Sequence, residues 1–266
     1  MTARSSSVMR SAFMLLNVRL VLQQIGLALL IFLLYVLWLR VPDASVLDVI
    51  GSVLLALIAL AVAGAGESAL ALRLTGRPRT LGKLVRGTLL LLAGIALWLA
   101  WNVLLNHLQE NDPLRAGYWN SRVPHQLRNF FSFEHILLWL GWLWSTLAWI
   151  GAGIIALFVF VWTASARPVR AIMVAARSIA YWAAVVLCAV GAAVGTGSLL
   201  QWTPGHSLRV QIISLILRLS LAVLVDAVLV CLVLAILAAC VRQSDALYAT
   251  PAGTPDESQP RTVDNP

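Results

Sequence analysis

Charge is what this sequence has least of. Only 11% of its 266 residues are Asp, Glu, Lys or Arg, against about 25% in soluble domains, so a soluble globular protein is excluded. Cysteine is almost as scarce. Cys188, Cys231 and Cys240 all fall in apolar runs and none has C-x-x-C spacing, which leaves no disulfide framework and no thiolate metal site. They read as small apolar residues. Catalytic signatures are missing too: there is no G-x-S-x-G, no H-E-x-x-H, no P-loop and no dinucleotide fingerprint. No cofactor is expected.

What the chain has instead is apolar length. It is 61% apolar, with a mean hydropathy of +0.88, and stretches of about 20 residues recur, the length an α-helix needs to cross a hydrocarbon core of roughly 30 Å. Six spans are expected, at 20–39, 46–66, 88–108, 136–162, 179–200 and 219–241. All should be helical, because lipid forces each segment to satisfy its own backbone. A β-barrel would show segments of about ten residues of alternating polarity, and these runs are longer and apolar on every face. The fold class is therefore all-α, a polytopic membrane protein. Residues 1–19 form an N-terminal segment that can lie as an interfacial helix. The first apolar run is too long for a signal peptide and is followed by no small-x-small cleavage site, so it reads as an uncleaved span.

The net charge of +8 does not point to nucleic acid, because the basic residues are sorted by side. Thirteen of the 19 Lys and Arg fall on the side of the N-terminus and the even-numbered loops. By the positive-inside rule both termini are cytoplasmic. Arg77, Arg79, Lys83, Arg86, Arg167, Arg170 and Arg177 then face anionic headgroups, at about 1 kcal/mol per charge. Most tryptophans lie at the opposite boundary, among them Trp98, Trp139, Trp142 and Trp144, an aromatic belt weighted outward. The bias of Arg over Lys, with abundant Ala and Leu, fits a bacterial inner membrane.

"RVPDAS" (40–45) makes the first two spans a tight hairpin, and residues 109–135 form the one sizeable outer loop. Residues 242–266, rich in Pro, Asp and Ser, read as a disordered cytoplasmic tail. "TGRPRTLGKLVRGTLLLL" (75–92) and "SARPVRAIMVAARSIAYW" (165–182) resemble each other, matching Arg77-Pro78 with Arg167-Pro168 and Arg86 with Arg177. A parallel duplication of an Arg-Pro helical hairpin is one source of that likeness. The other is convergence, since proline ends helices and arginine anchors at headgroups.

Few side chains are left to carry chemistry. Asp226 stands within 219–241, where a carboxylate costs roughly 2.5–3.5 kcal/mol. The fourteen Leu, Ile and Val of that segment, each favouring insertion by roughly 0.3–0.6 kcal/mol at the centre, outweigh it. Asp226 is expected either to bond Ser145, Thr146, Thr196 or Ser198 on another span, or to carry a proton or contact a substrate. Glu67 sits at the cytoplasmic end of the second span, where a boundary salt bridge with Arg73 is expected. Ser207, Gln211, Ser214 and Arg218 form one polar stripe, so 207–218 reads as an outer interfacial helix or a tilted extension, with Arg218 reaching headgroups. His107, Glu110, His125 and His135 share the outer side and are faint candidates for a divalent ion.

The leading expectation is a non-enzymatic membrane protein: a scaffold, an accessory subunit or a lipid-associated partner, alone, as a homo-oligomer or with another protein. A transporter using Asp226 comes second. A membrane enzyme using the outer histidines and acids on a lipid headgroup comes third.

Overall fold

The computed structural model describes residues 2–42, 44–196 and 208–246. Every regular element among them is helical. In chain order these are α1 (Thr2–Leu15), α2 (Val18–Leu39), α3 (Val46–Leu74), α4 (Leu81–Gln109), α5 (Asp112–Arg122), α6 (Phe133–Ala164), α7 (Pro168–Ala176), α8 (Ile179–Val190) and α9 (Leu208–Ala246). A 3-10 turn at His125–Leu127 precedes α6, and a π-helical stretch at Gly191–Thr196 follows α8.

Helix starts follow local capping chemistry. The Asn17 side chain accepts from the Leu20 N–H at 2.8 Å, Ser45 from Asp48, Ser132 from His135 and Ser178 from Tyr181, each satisfying a donor that the first helical turn leaves open. α7 opens instead on Pro168, whose missing N–H costs nothing there. α3 stops at Gly76, whose φ of 74° is a left-handed conformation that glycine adopts without penalty. The Arg77 N–H then returns to the Leu72 carbonyl at 2.8 Å.

Five of these helices, α2, α3, α4, α6 and α9, are long and apolar enough to cross a membrane. The fifth expected span is a different object. α7 and α8 pass the same test only as a pair, bent by 70° at Arg177 and Ser178, so the count is five, or six with the bent pair as one span. Residues 197–200 of that expected span lie outside the described residues.

Helix bounds also differ from the apolar runs. α3 continues past 66 to Leu74 because Leu70, Ala71, Leu72 and Leu74 bury a face there. α9 runs unbroken through Arg218. No boundary separates 208–218 from 219–241: the helix is continuous over 39 residues, about 58 Å at 1.5 Å per residue. Of the expected tail, 242–246 belong to α9 and the remainder lies outside the described residues. The two Arg-Pro stretches take unlike forms. Pro78 lies in the irregular segment before α4, whereas Pro168 begins the short α7 and Arg177 marks its break.

α9 is the hub, packed against α1, α2, α7 and α8. Its C-terminal half, Ala235–Val241, is buried in full and meets Tyr181, Val161, Ala171 and Ala12. α1, the Gly76 turn, α7 and the last turn of α9 therefore share one end of the bundle, the basic end. α3, α4 and α6 make the other half of the molecule. Outward faces such as Leu29, Leu33, Ile50, Leu54 and Leu57 stay exposed, as lipid-facing residues do. With apolar solvent outside, close packing rather than burial from water must hold such helices together.

Candidate functional site: a cleft between α3, α4 and α6

Small residues set how the three helices meet. At Gly94 of α4 an added Cβ would lie 2.7 Å from Val159 of α6, and at Gly87 it would collide with Ser68 of α3 and come within 2.8 Å of Thr163 of α6. Contact is thus tight at Gly87. Beyond it, where Gly94, Ala152 and Ala156 carry little bulk, the helices enclose a cleft of about 350 Å³, at the small end of the roughly 300–1,000 Å³ of ligand sites. From Gly87 to Trp98 it extends about 16 Å along α4.

The lining is polar at one end only. Leu91, Ile95, Ile155, Val159, Phe160 and Trp98 form the apolar walls, and Leu234 of α9 adds to them. Trp98, at the end away from Gly87, is 42% exposed. Toward the basic end it reaches Glu67, Ser68 and Thr163. Thr163 is engaged, its hydroxyl donating to the Val159 carbonyl at 2.8 Å. Ser68 is buried, and among the described residues its hydroxyl makes no hydrogen bond.

Glu67 is held from the side by α2. Gln24 Nε2 donates to Glu67 Oε1 at 2.7 Å, and no second hydrogen bond reaches Glu67 among the described residues. Gln24 is 9% exposed and its Oε1 has no hydrogen-bond partner among the described residues. The expected salt bridge with Arg73 is not formed. Six residues along a helix turn the second side chain by about 240° from the first, and Arg73 points to α2, where it donates to Gln23 Oε1. The "QQ" of residues 23–24, two amides inside an apolar run, was the sequence signal for this cluster.

Asp226 does not join it. It is half-buried on α9 with Cys188 of α8 in electrostatic reach, and no hydrogen bond reaches it from the described residues. Of its expected partners, Thr146 donates to the Trp142 carbonyl of its own helix and Ser145 is exposed. Ser198 and the Thr196 side chain lie outside the described residues. Arg218 donates through Nε to the Ser214 carbonyl at 3.1 Å.

At the basic end Arg77 forms an ion pair with Asp245 at 2.8 Å, tying the α3–α4 turn to the end of α9 instead of leaving that guanidinium to headgroups. Arg86 lies 5.9 Å from the Trp162 ring centroid. Arg79, Arg167, Arg170 and Arg177 are exposed and Lys83 is half-buried.

The outer-side histidines do not converge. His107 Nδ1 is 3.2 Å from Glu110 Oε2, His125 sits in the 3-10 turn, and His135 stacks on Trp139 at 6.5 Å. No three His, Cys, Asp or Glu come together to hold a metal among the described residues. The acid that matters there is Asp112, 8% exposed at the start of α5, which accepts from Trp144 Nε1 at 2.6 Å and Arg115 at 3.1 Å. It clips α5 onto α6.

No protein-family model matches this chain, and no curated protein or solved structure matches it significantly.

Proposed function

We propose that this is a non-enzymatic multi-pass membrane protein that works as a lipid-associated partner or accessory subunit. In this reading it has six spans, counting α7 and α8 as one, with both termini cytoplasmic in a bacterial inner membrane. The sorting of basic residues to one end supports the orientation. Arg79, Arg167, Arg170 and Arg177, exposed there, are the groups that would meet anionic headgroups.

One observation carries the lipid-associated role. The cleft between α3, α4 and α6 is apolar along most of its length and polar at one end, the pattern of an amphiphile's chain and head.

Native mass spectrometry of the protein, gently extracted from its own membrane, tests this. A defined lipid retained at a fixed ratio supports it, and a stoichiometric second polypeptide supports the accessory-subunit form. Turnover of a lipid-linked substrate, lost on mutating Glu110, His107 or His135, would sink the non-enzymatic reading.

A transporter reading rests on Asp226. This intramembrane acid has no hydrogen bond from the described residues, and α9 packs on the π-helical stretch Gly191–Thr196, a geometry frequent at functional sites. It requires Asp226→Asn to abolish a proton-coupled flux while the amount of folded protein in the membrane stays the same. Loss of the protein itself would assign Asp226 a structural role.

A further inference from the structure

We infer that the cleft takes a single-chain amphiphile with a neutral, hydrogen-bond-donating headgroup, such as a hydroxyl or glycerol, and discriminates against fatty-acid anions and two-chain phospholipids. This deepens the lipid-associated reading and rests on it.

Dimensions argue for one chain. The slot is about 16 Å long between the levels of Gly87 and Trp98. It is closed at the Gly87 end, where α4 touches Ser68 and Thr163. Its volume of about 350 Å³ suits one chain and leaves no room for a second.

Polar chemistry argues for the head. Two groups at the closed end are short of partners: the Ser68 hydroxyl, buried and without a hydrogen bond among the described residues, and the Glu67 carboxyl, satisfied only by Gln24 on one oxygen. Both accept hydrogen bonds. A hydroxyl head can give one of them a donor. A carboxylate head has no donor to give the Glu67 carboxyl.

The test uses full-length protein in phosphatidylcholine nanodiscs, doped with either a monoacylglycerol or oleate at pH 8, and reads retained lipid by native mass spectrometry. The monoacylglycerol should be retained one per chain, in preference to oleate and to the bulk phospholipid. Glu67→Ala should weaken its retention about ten- to a hundredfold, the worth of a hydrogen bond to an acidic group. Ala152→Phe, on the cleft wall, should abolish it. Comparing the two headgroups needs no variant, so a misfolded Glu67→Ala leaves the inference exposed to failure.

Equal retention of oleate, or full retention by a folded Glu67→Ala, overturns the headgroup inference while the lipid-associated reading stands. No retained lipid in the unsubstituted protein, or retention unaffected by Ala152→Phe, overturns both.

Discussion

Replacing Tyr181 by Phe and by Ala separates hydrogen bonding from packing where α8 meets the rest of the bundle. Tyr181 is fully buried, and its hydroxyl donates to the Gly153 carbonyl of α6. Its ring lies edge-on to Trp182, 5.3 Å between centroids. Removing only the hydroxyl forfeits one interhelical hydrogen bond, about 1 kcal/mol in water and about 0.6 kcal/mol on average between membrane helices. Removing the ring forfeits packing as well, about 3–5 kcal/mol for an aromatic residue cut to Ala.

The protein carries its own reporters for this experiment. Cys231 and Cys240 are 0% exposed, so a thiol-reactive dye reaches them only as the bundle opens. Cys188 is half-buried and is removed by Cys188→Ala to lower the background. In mild detergent Tyr181→Phe should lower the labelling midpoint by about 2–4 °C, the shift that roughly 1 kcal/mol produces in chains of this size. Tyr181→Ala should lower it at least three times as far. If Phe costs as much as Ala, the hydroxyl and not the ring holds α8. If Ala leaves the midpoint unchanged, the α6–α8 contact is not part of what keeps Cys231 and Cys240 covered.

Gly87→Ala drives a methyl group into Ser68 and Thr163, and overpacking of this kind costs typically about 1–3 kcal/mol; an unchanged midpoint in the same labelling experiment would refute the close approach of α3, α4 and α6. Asp112→Ala removes the acceptor shared by Trp144 and Arg115, so α5 amides should exchange with deuterium about ten- to a hundredfold faster; unaltered exchange would mean that α5 is held by other contacts. The Arg77–Asp245 pair is partly exposed, and a double-mutant cycle should give no more than about 1 kcal/mol of coupling. A coupling well beyond that would show a latch stronger than a surface ion pair.

The spanning helices were legible because apolar length is a direct consequence of living in lipid. Their ends were less so. Hydropathy falls at Glu67 and Arg73, yet α3 continues, because Leu70, Ala71, Leu72 and Leu74 still have a face to bury. Of the two forms expected for 207–218, a separate interfacial helix or an extension of the span, the helix is continuous from Leu208, since membrane thickness limits what lipid covers, not how long a helix grows.

The cleft was harder to foresee. It is made by side chains that are small or absent, Gly87, Gly94, Ala152 and Ala156, on helices far apart in sequence. A void shared by three helices has no local pattern. Glu67 was singled out by its charge, but its pairing with Arg73 ignored helical rotation, and its actual partner, Gln24, lies 43 residues away. Asp226 stood out for the same reason, and the structure brings neither Ser145 nor Thr146 to it.

The packing of α1 on the C-terminal half of α9 sets an order of events during synthesis. Val8 and Ala12 of α1 are buried beside Ala239 and its neighbours, about 220 residues later in the chain. At roughly 5–20 residues per second, the ribosome takes about 10–45 s to supply that partner. Through that interval the first helix lacks its main native partner and has only its smaller contact with α8 to make. A ribosome that stalls before α9 therefore leaves a chain whose first helix lacks the surface that buries Val8 and Ala12.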